Sequence, residues 1–358
     1  MEIKPNRREF LKSSFKTGAL MFLPFGESAT STLNKFPFSD QEEGNDFLVR
    51  RSPLTTEEYL EYVTRFNNWG RWGENDQHGT LNFISNETRK NATKLVRIGT
   101  TISCGRALNT WPGPDNWWPS KFYIKKDRGL KWKDGFITSA QDYIAVVSHG
   151  FVETHIDALC HVHTHDGRMY NGRPTTDITT YGSKSNSIDF WKDGIISRGV
   201  FYDIPKLRKE EFISPEQPIQ GWELEDFALK YKVTPQKGDI VIINCGRDKY
   251  FNKNPDAPKI FGQKPGSDPS ALEFLYKYDS AVLGSDFDEA PFKDTYPTQT
   301  PLHAIANPYM GLPTLWNLDL NRLKEKCEEL NRNDFLFVVT PLIINGGTGS
   351  IVNPIAVF

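Results

Sequence analysis

Five of the seven histidines of the 358-residue chain lie between Ser148 and Gly167. Imidazole and carboxylate groups are the ligands that Zn²⁺ or Mn²⁺ takes in hydrolytic sites. The cluster therefore predicts a metal site, and the alternative is a polar strand end whose histidines bond to the backbone. Its candidate groups are His149, His155, His161, His163 and His165, with Glu153, Asp157 and Asp166 among them.

Three of these side chains have a spacing that brings them to one point. Residues 145–147 predict a buried strand, and if it continues, His155 and Asp157 point to the same face. If a helix then begins near Ala158, Asp157 and His161 are four residues apart and again share a face. We expect His163 and His165 to be solvated turn residues or outer partners of the site.

Apolar periodicity elsewhere predicts helices and strands in alternation, which is typical of an α/β fold. We expect helices at residues 54–67, 86–96, 218–231, 270–277 and 318–331, and strands at 100–103, 195–204, 238–244, 281–285 and 335–340. No repeat or linker follows residue 45, so residues 46–358 are expected to form one catalytic domain.

Two further segments have unusual composition. Residues 109–135 predict a long loop with Trp111, Trp117, Trp118 and Trp132, which either walls a pocket or anchors the loop to the core. The glycine-rich residues 345–350 lack the lysine of a phosphate-binding loop and precede no helix. We expect them to form a tight turn rather than a nucleotide site.

Composition excludes several classes of protein. The net charge of −2 gives no electrostatic case for nucleic acid or an anionic membrane, and no apolar run is long enough to predict a spanning helix. The four cysteines are widely spaced and predict neither a zinc ribbon nor a disulfide framework. Cys160, beside His161, is expected to be a buried, inert thiol. No G-x-S-x-G elbow supports a serine nucleophile.

The first 45 residues are typical of an export leader. Residues 6–12, Asn-Arg-Arg-Glu-Phe-Leu-Lys, resemble a twin-arginine signal, and the mildly apolar residues 17–25 follow. We therefore expect a periplasmic protein exported by the twin-arginine route. The alternative is a basic amphipathic N-terminal helix.

From residue 65 to residue 358 the chain resembles the cyclase family of metal-dependent hydrolases, which includes kynurenine formamidase and isatin hydrolase. The resemblance implies a swivelling β/β/α domain that assembles as a homo-oligomer. The most specific motif is Thr-His-Ile-Asp-Ala-Leu-Cys-His at residues 154–161. It is supported by Trp72-Gly73 and residues 76–82, 197–203, 284–286, 301–303, 346–350 and 354–357.

The family motif H-x-x-x-H-x-D-x-x-x-H also implies roles for residues. Its first histidine falls on Phe151, but His149 stands two residues earlier, on the same face if the chain is extended. A later family histidine matches His303, whereas a family glutamate finds only Thr314, Trp316 or Asn317. The resemblance thus implies His149, His155, Asp157 and His303 as metal ligands, and His161 as the catalytic base or as a third ligand.

The resemblance implies a metal-dependent hydrolase of amide or cyclic amide C–N bonds, and the candidate metal ligands agree with hydrolysis. A water bound to Zn²⁺ or Mn²⁺ would be the nucleophile, and a histidine would be the base. The tryptophans favour an aromatic or otherwise flat small-molecule substrate. The alternatives are a cyclic ester (lactone) hydrolase on the same site, and an exported binding protein with a degenerate metal site.

Overall fold

Thirteen strands are present in the computed structural model, which describes residues 50–126, 139–257, 264–290 and 295–358. Nine of them form one mixed sheet. The strands are β1 (Thr101–Ser103), β2 (Lys121–Lys126), β3 (Gln141–Ala145), β4 (His155–Asp157), β5 (Ile178–Thr179), β6 (Gly182–Ser183), β7 (Ile195–Asp203), β8 (Ile240–Asn244), β9 (Val282–Ser285), β10 (Thr314–Trp316), β11 (Asp334–Val339), β12 (Gly349–Ile351) and β13 (Ile355–Val357).

The large sheet has the order β1-β13-β11-β7-β8-β9-β10-β4-β12. Strands β7, β8, β9 and β10 are parallel to their neighbours within this group, and every other pairing is antiparallel. Two small ribbons, β2-β3 and β5-β6, lie outside it. The short strand β4, which carries two of the candidate site residues, is therefore enclosed between β10 and β12.

The described residues also form eight α-helices. They are α1 (Thr56–Arg65), α2 (Asn86–Thr93), α3 (Ile204–Arg208), α4 (Gly221–Tyr231), α5 (Arg247–Lys253), α6 (Ala271–Lys277), α7 (Pro301–Ile305) and α8 (Asn321–Leu330), among the residues that the structure describes. Helix α1 begins with a capping box, because the Thr55 hydroxyl accepts from the backbone of Glu58 and the Glu58 side chain accepts from that of Thr55.

Both faces of the sheet are covered, since successive residues of its central strands enter two different cores. Val241 and Ile243 of β8 pack with the aromatic residues of α1, α4 and α6. Ile240 and Ile242 of the same strand pack with Ile156 of β4 and with the C-terminal strands. All five residues of β8 are buried, as expected of a parallel strand covered on both sides.

The predicted alternation of strands and helices is confirmed, and the fold class is α/β. Each of the ten expected elements is present, with ends that differ by a few residues; the helix expected at 86–96 already ends at Thr93.

Three local predictions were wrong. Residues 145–147 are not a buried strand, because β3 ends at Ala145 on an exposed ribbon and Val147 is exposed. No helix follows Ala158, where the chain makes a turn instead. The loop predicted at 109–135 contains strand β2.

The described residues all belong to one compact unit that starts at Asp46. No helix in the described ranges is long and apolar enough to cross a membrane. The predicted leader, residues 1–45, and Trp132 lie outside the described residues.

Candidate metal centre

Strand β4 places His155 and Asp157 on one face of the sheet. Its pairing partners are Trp316 and Ile351 opposite His155, and Thr314 and Gly349 opposite Asp157. Both side chains are buried. The two-residue period expected from the sequence therefore holds, although the strand is only three residues long and is not a continuation of the segment before it.

His155 is oriented by a backbone carbonyl. Its Nδ1 lies 2.9 Å from the Glu153 oxygen, and its Nε2 lies 3.6 Å from Asp157 Oδ1. A proton on Nδ1 leaves the Nε2 lone pair free for a cation, which is the usual arrangement of a metal-binding histidine. Burial lowers the pKa of His155 and outweighs the raising effect of Asp157, so the ring is kept neutral.

Asp157 has different partners on its two oxygens. Oδ2 accepts hydrogen bonds from Thr314 Oγ1 and Trp316 Nε1, each at 2.9 Å. Oδ1 faces the histidines, with His149 Nδ1 at 2.7 Å. Burial alone would raise the pKa of this carboxyl, but the surrounding histidines hold the pKa well below its usual range. The group is therefore ionised and able to bind a cation.

His149 is held from the other side by the glycine-rich segment. Its Nε2 lies 2.9 Å from Thr348 Oγ1. A Cβ at the neighbouring Gly349 would stand 2.6 Å from His149 Cε1, so only glycine leaves room for the ring. The residues expected to be a simple turn thus continue into β12 and form one wall of the site. Sequence analysis missed Thr348.

His161 reaches the site from the turn after β4. Its ring stacks on that of His149, with centroids 3.6 Å apart, and its Nε2 lies 3.9 Å from Asp157 Oδ1. Burial and the neighbouring histidines lower its pKa to about 3, although Asp157 opposes them, so the ring is neutral. Its side chain keeps 30% of its exposure, the largest fraction among the four central histidines.

His303, on helix α7, approaches the other carboxylate oxygen. Its Nε2 lies 3.6 Å from Asp157 Oδ2, and its Nδ1 contacts the buried carboxylate of Glu289. Burial disfavours its charged form, but Glu289 and Asp157 outweigh burial and raise its pKa to about 10. Glu289 was missed by sequence analysis, because no motif connects it with a histidine fourteen residues later.

Phe151 and Asn317 stand at positions where the family motif implies metal ligands, but they have other partners. Asn317 Nδ2 donates to the carbonyls of Gly150 (2.9 Å) and Glu153 (3.1 Å). Arg247 donates to the carbonyl of Phe151 (2.6 Å) and to Asn317 Oδ1 (3.0 Å). These bonds hold the loop between His149 and His155 in place. Arg247 was also missed.

The remaining candidates of the cluster lie away from this centre. His163 and His165 are exposed, as expected for solvated turn residues, and His163 Nε2 lies 3.1 Å from the Cys160 oxygen. Cys160 is buried, and burial raises the pKa of its thiol to about 11, so the thiolate is not available at neutral pH. Asp166 is exposed and accepts from the Thr164 hydroxyl.

The donor set fits a divalent cation. Ligand atoms of His149, His155 and Asp157 lie within 4.8 Å of one another. Ligands of a tetrahedral zinc ion, at about 2.0–2.1 Å from it, are separated by roughly 3.3 Å, close to the 3.6 Å between His155 Nε2 and Asp157 Oδ1. The centre opens into a cavity of about 250 Å³ that is lined by Phe151, His161, Val162, Asp288, Thr300, His303, Trp316 and Asn317 besides the three donors and Gly150.

A family model for cyclases matches residues 96–288, more than half of the chain. The chain belongs to the cyclase family. No curated protein matches it in a search of their sequences.

Solved structures show the same cyclase fold. The crystal structure of a novel cyclase is 25% identical, with a TM-score of 0.74, over 83% of this chain and 99% of that one. Isatin hydrolase A from Labrenzia aggregata, bound to benzyl benzoate, is 18% identical with a TM-score of 0.51, over 74% of this chain and 94% of that one. An isatin hydrolase bound to the product analogue thioisatinate is 17% identical with a TM-score of 0.50, over 76% and 98%.

Proposed function

We propose that this cyclase-family chain is a metal-dependent hydrolase of amide or cyclic amide C–N bonds. The observation that carries the proposal is the convergence of His149 and His155 on the ionised carboxylate of Asp157, at one end of a cavity. Isatin hydrolases, which share the fold, are named for a cyclic amide. We extend that type of substrate to this chain, with an aromatic or flat ring as part of it.

His149, His155 and Asp157 would hold Zn²⁺ or Mn²⁺, and His303 would join them through the Nε2 that faces Asp157, with loss of its proton to solvent. When bound, such a cation supplies a water of lowered pKa and polarises the substrate carbonyl. The protein fixes the orientation of each ring, because Glu153, Thr348 and Glu289 contact the nitrogens that face away from the centre.

His161 would act as the general base. Its Nε2 faces the centre, its ring is neutral, and it lines the cavity where a substrate would lie. It can accept the proton of the attacking water at Nε2 and return that proton to the leaving nitrogen. Its stacking on His149 holds the ring in place while it does so.

We also propose where the protein is located and how it assembles. The arginines at residues 7 and 8 support export to the periplasm by the twin-arginine route, and the family resemblance supports a homo-oligomer. Replacing both arginines with lysine should retain the protein in the cytoplasm. Light scattering of the purified protein tests the oligomer.

The function is tested by metal content and turnover together. The full chain, purified without a histidine tag, should contain about one Zn²⁺ or Mn²⁺ per site and hydrolyse isatin, N-formylkynurenine or a related amide. His155→Ala should lose both, whereas His163→Ala, an exposed histidine of the same cluster, should keep both. A protein that binds no divalent metal contradicts the proposal, and turnover of lactones alone would favour an esterase.

A further inference from the structure

A second, smaller cavity adjoins the one at the metal centre. It has a volume of about 150 Å³, and both cavities are lined by His149, Gly150 and Phe151. Residues 149–151 thus form a side of both cavities, which places the second space next to the one that contains Asp157. Its remaining lining residues are Asp115, Asn116, Trp117, Trp118, Val147 and Glu153. We call it the tryptophan pocket.

The walls of the tryptophan pocket are mostly apolar. The rings of Trp117 and Trp118 meet edge to face, with centroids 6.2 Å apart and planes at 78°. Val147 and Phe151 complete the apolar lining. A space of about 150 Å³ is large enough for one benzene molecule, so the size of the pocket matches a single ring rather than a peptide or a longer chain.

Hydrogen bonds join the loop that carries the tryptophans to the segment that carries the candidate metal ligands. The buried carboxylate of Glu153 accepts from Ser120 Oγ (2.7 Å) and from the backbone of Asn109 (3.3 Å). Both donors belong to the loop that carries the tryptophans, whereas Glu153 lies between the candidate ligands His149 and His155. The position of the tryptophans is thereby coupled to that of the centre.

The tryptophans of the pocket are also open to solvent. Trp118 is 68% exposed and Trp117 is 53% exposed, and both also line an outer groove of about 830 Å³. Large apolar rings left in water next to a polar centre are typical of a binding site. Because residues 149–151 line both the tryptophan pocket and the cavity of the centre, the arrangement favours a small molecule that occupies both spaces.

We propose that the tryptophan pocket binds a ring-sized, uncharged apolar group of the substrate, linked to the carbonyl that reacts near Asp157. This inference rests on the proposed function and specifies its substrate class: amides or cyclic amides that carry a second apolar group beyond the scissile bond. The carboxylates of Asp115 and Glu153 line the same pocket and disfavour an anionic group there.

Two hydroxamates that bind the metal through the same group test the pocket, in a measurement that does not require turnover. Binding of acetohydroxamate and of 3-phenylpropionohydroxamate to the Zn²⁺-loaded full chain is measured by calorimetry. The phenyl arm should tighten binding roughly tenfold or more, because burial of one ring contributes about that much. A carboxylate in the para position of the ring should remove most of this gain.

Two tryptophan variants separate the pocket from the loop. Trp118→Ala should reduce the gain from the phenyl arm to less than about threefold. Trp111→Ala is the matched control, because Trp111 is 78% exposed in the same loop and lines the outer groove but not the pocket. It should keep the full gain, and acetohydroxamate should bind all three proteins alike.

Three other outcomes of these binding measurements would contradict the proposal, each for a different reason. Equal binding of the two hydroxamates by the unmodified protein shows that the pocket does not bind the arm. Loss of the gain in Trp111→Ala as well shows that the loop, not the pocket, is responsible. If neither hydroxamate binds the metal-treated protein, the proposed metal centre itself is wrong, and the inference falls with it.

Discussion

Asp157 is the residue on which the chemistry of the centre depends, because its two oxygens have separate tasks. Thr314 and Trp316 donate to Oδ2, and this fixes the plane of the carboxylate. Among the residues that the structure describes, only histidine rings approach Oδ1, so it is the oxygen available to a cation. A buried carboxylate that stays ionised is the strongest electrostatic feature of the site.

The hydroxyl of Thr348 should contribute to metal affinity through His149. Thr348→Val keeps the shape of the side chain but removes the oxygen 2.9 Å from His149 Nε2. Loss of such an outer partner typically weakens metal binding about 10- to 100-fold. We expect a loss of this size in Zn²⁺ binding measured by competition with a chelator. Thr348→Ser is the control, and it should bind Zn²⁺ nearly as well as the unmodified protein does. Equal Zn²⁺ affinity of all three proteins would show that His149 needs no hydrogen bond from residue 348.

The five side chains of the centre were expected from the sequence, two of them from spacing alone, whereas their partners Thr348 and Glu289 were not. His155 and Asp157 follow from the two-residue period of an extended chain. His161 was expected through a helix that does not form; a turn brings it to the same place. Thr348 lies 199 residues from His149, and its contact arises only when β12 pairs with β4. No local pattern encodes such a contact.

At the scale of elements, the buried strands with long apolar runs were predictable, and the short strands around β4 were not. Strands β7, β8 and β11 have long apolar runs, whereas β10 and β12 have three residues each and no pattern of their own. Yet β10 and β12 flank β4 and hold its register. The position of a short strand depends mainly on the strands with which it pairs. The sequence alone therefore predicts the long strands of the sheet better than the short strands that surround the metal centre.

The loop between His149 and His155 should depend on Asn317 for its stability. Asn317 follows β10 with a positive φ of 57° and donates to two carbonyls of that loop. Asn317→Gly keeps the backbone conformation accessible but removes the amide. We expect the free energy of unfolding to fall by about 1–3 kcal/mol, because buried carbonyls and Arg247 lose partners.

Asn331 provides the matched control for this prediction. It also has a positive φ, of 47°, but it ends helix α8 at an exposed position. Asn331→Gly should change the free energy of unfolding by no more than about 0.5 kcal/mol. Urea unfolding of the three proteins measures both effects. A similar change in the two variants would show that Asn317 acts only through its backbone conformation.

At the scale of the whole molecule, the centre joins parts of the chain that are far apart in sequence. His155 and Asp157 lie at the middle of the chain, His303 lies on α7 beyond the residues matched by the family model, and Thr348 lies close to the C-terminus. A cation bound by these groups would connect β4, α7 and β12. We therefore expect metal binding to stabilise the whole described unit and not the centre alone.

The size of this stabilisation should report whether His303 is a ligand. At a metal concentration 100 times Kd, binding to a site that exists only in the folded state adds about 2.7 kcal/mol to the free energy of unfolding. This raises the midpoint of thermal unfolding by several degrees. His303→Ala removes the imidazole that contacts the buried carboxylate of Glu289 and lowers the midpoint by itself. The informative quantity is therefore the difference between each protein's midpoints with Zn²⁺ and with chelator.

This difference between midpoints should shrink in His303→Ala and stay unchanged in His163→Ala, whose exposed ring bonds the Cys160 carbonyl. An undiminished difference in His303→Ala would confine the ligands to the stretch around β4, and His303 would then serve only to balance the charges of Glu289 and Asp157.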